Sequence, residues 1–67
     1  MLGFIGCGNM AQAMLRGILQ KGLYTCDQII VSRRNERELS KLKEEFCIQV
    51  TTDNKEVAKK ADVLILA

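Results

Sequence analysis

Six residues near the start of the chain have the types and the spacing that can hold a phosphate group. They follow the pattern G-x-G-x-x-A and read Gly6-Cys7-Gly8-Asn9-Met10-Ala11. Gly6 permits a tight turn, Gly8 leaves no Cβ in the way of a pyrophosphate, and Ala11 lets a helix pack closely. Amide groups at the start of that helix would point at the anion. The pattern predicts a dinucleotide site, and the alternative is a glycine-rich turn that binds nothing.

A Ser-Arg-Arg run carries a second chemical signal, because it follows the glycines by about 20 residues. Sites that prefer NAD place an acid at this distance, where it accepts a hydrogen bond from the ribose 2′-hydroxyl. A hydroxyl and guanidinium groups instead donate to a 2′-phosphate and neutralise it. We therefore predict NADP(H) over NAD(H), with Ser32, Arg33 and Arg34 at the phosphate. The alternative is that both arginines begin a solvated helix and pair with Glu36 or Glu38.

The other residue types that often carry chemistry are scarce. Histidine, the commonest general base and metal ligand, is absent from the sequence. The cysteines Cys7, Cys26 and Cys47 form no C-x-x-C pair, so we expect neither a zinc site nor a redox dithiol. We interpret them as reduced thiols that pack as small hydrophobes. No residue is assigned a catalytic or metal-binding role.

Short apolar runs alternate with segments of helical period, and together they predict the elements that position these residues. Strands are expected at 2–5, 29–31, 48–51 and 63–67, with a helix between each pair, in the order β-α-β-α-β-α-β. This alternation is typical of a parallel sheet with right-handed crossovers. We predict the strand order 3-2-1-4, which is the first half of a doubly wound α/β sheet of the Rossmann type.

Individual residues indicate where the helices end and which faces are buried. Gly22 is predicted to end the first helix, Asn35 to begin the second, and Asp53 or Thr52 to begin the third. The faces predicted to turn inward are Met10, Ala13, Met14, Gly17 and Ile18 in the first helix, Leu39, Leu42 and Phe46 in the second, and Val57, Ala58 and Ala61 in the third. Close packing is also the predicted reason for glycine at positions 3 and 17.

The composition excludes several classes of protein. The chain has 67 residues, of which 48% are hydrophobic and 27% charged, so we expect one globular domain or part of one. Ten basic against eight acidic residues leave a net charge of +2, too small to indicate nucleic acid or an anionic membrane. Without a basic leader or a long apolar run, we expect a cytoplasmic protein.

The run Gly3-Phe4-Ile5-Gly6-Cys7-Gly8-Asn9-Met10-Ala11 resembles the N-terminus of the pyrroline-5-carboxylate reductases. The stretches 52–57 and 61–67 are similar to the third crossover and fourth strand of that family. The resemblance implies NAD(P)H-dependent reduction of 1-pyrroline-5-carboxylate to proline, in proline biosynthesis. It also implies that residues 1–67 form the N-terminal part of the dinucleotide-binding domain.

Roles for individual residues follow from the same resemblance. It implies that Ile5 to Met10 line the pyrophosphate, and that Ser32 and Arg33 meet the 2′-phosphate end. Asn54 would contact the adenosine ribose, although a turn residue is an equal alternative for it. Ala67 would begin the segment beside the nicotinamide ribose.

The resemblance also implies parts that this chain does not contain. Family members bind the imine substrate and form a homo-oligomer through a helical C-terminal domain, so residues 1–67 alone are expected to be inactive. Two other functions stay open: another NADP-dependent reductase with the same loop, such as a deazaflavin-dependent one, and a non-catalytic dinucleotide-binding module.

Overall fold

The computed structural model describes residues 1–6 and 8–66, which form a parallel sheet with helices on both faces. The strands are β1 Leu2–Ile5, β2 Ile29–Ser32, β3 Gln49–Thr51 and β4 Val63–Leu66. The helices are α1 Asn9–Gln20, α2 Glu36–Phe46 and α3 Asn54–Lys60, and a 3₁₀ turn at Cys26–Gln28 precedes β2. The predicted alternation of strands and helices is confirmed.

The strands pair in the order β3-β2-β1-β4, and every pairing is parallel. In the register of the sheet, Gly3 of β1 lies between Ile30 of β2 and Leu64 of β4. This confirms the predicted order. Because the strands are parallel, their carboxyl ends meet at one edge of the sheet, and the loops after them converge there.

The helices divide between the two faces of the sheet. On one face α1 and α2 cover Leu2 and Phe4 of β1, which belong to a cluster of buried residues. On the other face α3 lies against Gly3, where a Cβ would come within 2.6 Å of Val57 Cγ1 and 2.7 Å of Ala61 Cβ. The predicted packing role of Gly3 is confirmed, because only glycine admits α3 at this distance.

The buried face of α1 differs from the predicted one. Ala11 and Leu15 are the buried residues of the helix, whereas Met10 is 84% exposed and Met14 is 46% exposed. Beyond its chain neighbours and the backbone of its own helix, Gly17 has no atom within 4 Å of the position a Cβ would take, so close packing does not explain it. The predicted stripe was therefore wrong for both methionines, for Gly17 and for Ala13, which is exposed as well. Apolar residues recur every four positions on two faces of this helix, and the prediction selected the face that is exposed.

The ends of the helices follow the sequence closely. Gly22 has a φ of 69°, and the N–H groups of Gly22 and Leu23 donate to carbonyl oxygens one turn back in α1. The Asn35 side chain accepts from two amides of α2, and Asp53 accepts from one amide of α3. These three predicted helix boundaries are confirmed.

Two details of the second and third helices differ from prediction. Cys47 is exposed at the end of α2 in a left-handed conformation, with a φ of 58°, so it is not a buried small hydrophobe. Ala58 is exposed, whereas Val57 beside it is fully buried. The predicted inward stripe of α2 is confirmed by the buried residues Leu39, Leu42 and Phe46.

Candidate functional site

A cleft of about 620 Å³ opens at the carboxyl ends of β1 and β4, beside the start of α1. Most of the glycine motif lines this cleft, together with residues from the ends of β2 and β4. The lining residues are Gly6, Gly8, Asn9, Met10, Ala11, Met14, Arg33, Ile65 and Leu66. Such a position, where the loops after parallel strands separate, is where open α/β sheets bind ligands.

The glycine turn is built differently at its two glycines. Gly6 has a φ of 76°, which strongly favours glycine, and its N–H donates to the Ser32 carbonyl oxygen at 3.0 Å. Gly8 is the N-cap residue immediately before α1 and has an ordinary φ of −85°, and a Cβ built there meets no atom within 4 Å apart from its chain neighbours. The backbone therefore requires glycine at position 6, whereas at position 8 the glycine keeps open space in the cleft.

The start of α1 differs electrostatically from the starts of the other two helices. A side chain caps α2 at Asn35 and α3 at Asp53, and both helices carry glutamates in their first turns. Gly8, the residue immediately before α1, has no side chain to cap the helix, and the first turn contains no acid. The positive end of the α1 dipole and its amide groups therefore face the cleft without a carboxylate beside them.

A second cavity of about 360 Å³ adjoins the first at the end of β2. Gly6 and Arg33 line both cavities. The complete lining of the second is Ile5, Gly6, Ser32, Arg33, Arg34, Asn35, Glu38 and Asn54. The fold thus joins the glycine turn, the Ser-Arg-Arg run and the start of α3 in one continuous groove.

Ser32 and Asn54 are directly linked inside this groove. The Ser32 hydroxyl donates to the Asn54 side-chain oxygen at 2.6 Å, and Ser32 is 0% exposed. This bond orients the exposed Asn54 side chain at the first residue of α3, with its amide nitrogen available as a donor.

Arg33 lies where the two cavities meet. Its backbone N–H donates to the Thr51 carbonyl oxygen at 3.2 Å, and its side-chain Nε lies 2.6 Å from Glu38 Oε2. The sequence left open whether this arginine would face a ligand or pair with a glutamate of the following helix. The structure shows the pair with Glu38, and it also places Arg33 in the lining of both cavities, so the two roles are compatible.

One wall of the first cleft is apolar and exposed. Met10 and Met14 lie one turn apart on α1 and face the cleft, and Ile65 and Leu66 line it from β4. Leu66 is 74% exposed. The groove therefore has chemically distinct ends: an apolar one beside β4 and one with two arginines beside β2.

Five lining residues were not predicted from the sequence as site residues: Met14, Ile65, Leu66, Asn35 and Glu38. The position of Leu66 at the carboxyl end of a predicted strand is a signal that could have found it. Cys7 and Ala67, both predicted to contact the cofactor, lie outside the described residues.

The part of the chain that the structure describes contains no group of three or more histidine, cysteine, aspartate or glutamate residues that could hold a metal ion. Within the same residues, no helix is both long and apolar enough to cross a membrane.

Parallel strands in the order 3-2-1-4, with alternating helices and a glycine turn after β1, define a Rossmann-type α/β chain. Comparison with known proteins gives its family. The chain belongs to the family described as NADP oxidoreductase coenzyme F420-dependent, which matches residues 1–67.

Individual relatives share one name. The chain is 40% identical over 67 residues to pyrroline-5-carboxylate reductase 2 of Bacillus subtilis, and 36% identical over 66 residues to pyrroline-5-carboxylate reductase of Escherichia coli. Each alignment covers 98% of this chain and 24% of the relative. A solved structure of a pyrroline-5-carboxylate reductase from Coxiella burnetii superposes with a TM-score of 0.90, at 38% identity, over 98% of this chain and 24% of that one. The resemblance stated from the sequence is confirmed, and the chain spans about a quarter of the length of these relatives.

Proposed function

We propose that the groove binds a nicotinamide dinucleotide, with NADP(H) preferred over NAD(H). The observation that carries the proposal is the start of α1, which has neither a side-chain cap nor an acid and faces a cleft that Gly8 keeps open. Such a helix start supplies amide donors and a positive dipole end to a pyrophosphate. The residues present therefore fit the cofactor at its pyrophosphate.

The two ends of the groove suggest how the rest of the dinucleotide lies. The pyrophosphate takes the turn formed by residues 5–11, and the 2′-phosphate takes the end that holds Arg33 and Arg34. Asn54, oriented by Ser32, donates to the adenosine ribose from the start of α3. The apolar wall beside β4 takes the nicotinamide side, and Ala67 begins the segment beside the nicotinamide ribose.

We further propose that the whole protein is a reductase that acts like its named relatives, on 1-pyrroline-5-carboxylate in proline biosynthesis. In such a reaction the bound nicotinamide supplies the hydride. Residues 1–67 are then the N-terminal part of the dinucleotide-binding domain, and a helical domain holds the imine and forms the homo-oligomer. No residue described here is assigned to hydride acceptance or proton delivery.

The family description supports a second candidate, because it names coenzyme F420. An NADP reductase that exchanges hydride with a deazaflavin would use the same groove for NADP. A dinucleotide-binding module without catalysis would use it as well. The hydride acceptor separates these candidates: the whole protein should oxidise NADPH with the imine, with the deazaflavin or with neither. Residues 1–67 alone should show no turnover with either acceptor.

Titration of the protein with NADPH and NADH, followed by nucleotide fluorescence, tests the binding proposal. We expect tighter binding of NADPH. Gly8→Ala should weaken both nucleotides by about tenfold or more, because its methyl group occupies the space required by the pyrophosphate, a cost of roughly 1.4 kcal/mol. Gly17→Ala is the matched control, since it changes glycine to alanine in the same helix away from the cleft, and it should leave both affinities unchanged.

Three results would count against parts of this proposal. If neither nucleotide binds the unaltered protein, the groove is not a dinucleotide site. If Gly8→Ala binds as tightly as the unaltered protein, the pyrophosphate does not lie at the glycine turn. Equal affinity for NADPH and NADH would overturn the preference alone.

A further inference from the structure

Glu38 is the one acid among the described residues that line the cavity at the end of β2. It lies in the first turn of α2, where its backbone N–H donates to Asn35 Oδ1 at 3.3 Å. Its side chain turns back over that turn, so that Oε2 lies 2.6 Å from Arg33 Nε. The cavity therefore contains a carboxylate, although none follows β2 directly.

The charges in this cavity bear on which nucleotide it accepts. Arg33 and Arg34 bring two positive charges and Glu38 brings one negative charge. A phosphate monoester carries roughly 1.5 to 2 negative charges at neutral pH, and it would have to share Arg33 with the carboxylate. A nucleotide with a free 2′-hydroxyl brings no charge to this end of the groove, so the carboxylate does not oppose its binding.

We infer that Glu38 is a specificity-determining residue, which competes with the 2′-phosphate for the Arg33 guanidinium. Its carboxylate keeps the preference for a 2′-phosphorylated nucleotide below the level that the two arginines alone would give. This inference rests on the proposed dinucleotide site and adds to it the residue that sets the degree of discrimination. The Arg33–Glu38 ion pair carries the inference, because it must be weakened or shared when a phosphate binds.

The test uses two nucleotides that differ only in the 2′-phosphate: adenosine 2′,5′-bisphosphate and adenosine 5′-phosphate. In Glu38→Gln the bisphosphate should bind about fivefold more tightly, the effect expected for removing one partly screened charge. The 5′-phosphate should change by less than about twofold, since it lacks the competing group. A purely structural role of Glu38 would instead move both affinities together.

Glu36→Gln is the matched control, because Glu36 lies in the same first turn of α2 but does not line either cavity. It removes the same charge from the same helix end, and the ratio of the two affinities should stay unchanged. Thermal unfolding of each variant, followed by circular dichroism, verifies that it is folded.

The double variant Arg33→Ala with Glu38→Gln tests whether the effect passes through the arginine. Glu38→Gln should no longer raise the affinity for the bisphosphate when Arg33 is absent, so the double variant should bind it as Arg33→Ala alone does. An unchanged or lower affinity ratio in Glu38→Gln would overturn the inference, and so would a gain that persists without Arg33. If neither nucleotide binds the unaltered protein, the proposed site itself is wrong, and that outcome differs from binding with an unchanged ratio.

Discussion

The Ser32 hydroxyl donates a hydrogen bond of 2.6 Å to the side-chain oxygen of Asn54. The bond joins the carboxyl end of β2 to the first residue of α3, two elements that are separated by a helix and a strand in the sequence. Ser32 is fully buried, so its hydroxyl has no access to bulk water. The lining of the groove at the end of β2 and the position of α3 therefore depend on the same hydrogen bond.

Ser32→Ala should lower the free energy of unfolding by about 1 kcal/mol, the usual net contribution of such a hydrogen bond. Urea denaturation measures the change. Ser40→Ala is the control, because Ser40 is exposed on α2 and its hydroxyl bonds only to the Glu36 carbonyl one turn back. Alanine is the better helix former there, so stability should stay level or rise by up to about 0.5 kcal/mol. Equal losses in both variants would contradict the structural role of Ser32.

The glycines at positions 3 and 17 should respond in opposite directions to the same substitution. Gly3→Ala places a methyl group 2.6 Å from Val57 Cγ1, and such overpacking costs about 1–3 kcal/mol of stability. The methyl group of Gly17→Ala meets no atom within 4 Å beyond its chain neighbours and the backbone of its own helix, and inside a helix alanine is favoured by about 1 kcal/mol. Chemical denaturation of the two variants under identical conditions measures both effects. If Gly3→Ala stabilised the protein, α3 would pack less closely against β1 than the 2.6 Å distance to Val57 Cγ1 requires.

Glu56 should make a pH-dependent contribution to stability. The hydrogen bond from the Thr51 hydroxyl, and after it the bond and charge of Lys60, hold the pKa of Glu56 below its ordinary value of 4.5. A carboxyl group whose pKa is lower in the folded state stabilises the fold above the unfolded pKa. That contribution is lost as the pH falls through the folded pKa.

Carboxyl NMR titration of Glu56 measures this directly. We expect a midpoint below 4.5 in the unaltered protein and a higher midpoint in Thr51→Val, which keeps the side-chain shape but removes the donor. Lys60→Gln should also raise the midpoint, because it removes the positive charge that favours the ionised carboxylate. A midpoint that does not respond to Thr51→Val would contradict the hydrogen bond.

The order of the elements and the glycine turn could be predicted because each depends on local chemistry. The apolar run of β1, the Asn35 cap and the left-handed Gly22 are properties of short segments, and the structure contains all of them. The parallel strand order also follows, because few connections satisfy the right-handed crossover rule.

The orientation of α1 about its axis could not be predicted in the same way. Ala11 and Leu15 are spaced by four residues, and so are Met10 and Met14, so helical period alone does not choose between the two faces. The tertiary fold decides, since packing against the sheet buries Ala11 and Leu15 in the core and leaves Met10 and Met14 exposed. Similarly, the sequence offered two glutamates as partners for Arg33, and only packing selects Glu38.

The strands β2 and β3 are added on one side of β1, and β4 is added on the other side. This change of side has a consequence for how the groove can change. The first two crossovers, through α1 and α2, lie on one face of the sheet and lead to β2 and β3. The third crossover, through α3, lies on the other face and leads back past β1 to β4. The helix that follows β1 and the helix that precedes β4 therefore lie on opposite faces of the sheet, and the opening beside the ends of these two strands is a product of connectivity. Ligand preference and fold are thus separable. Substitutions of exposed residues that line the groove can change which ligand is bound, while the buried residues that maintain the fold stay the same.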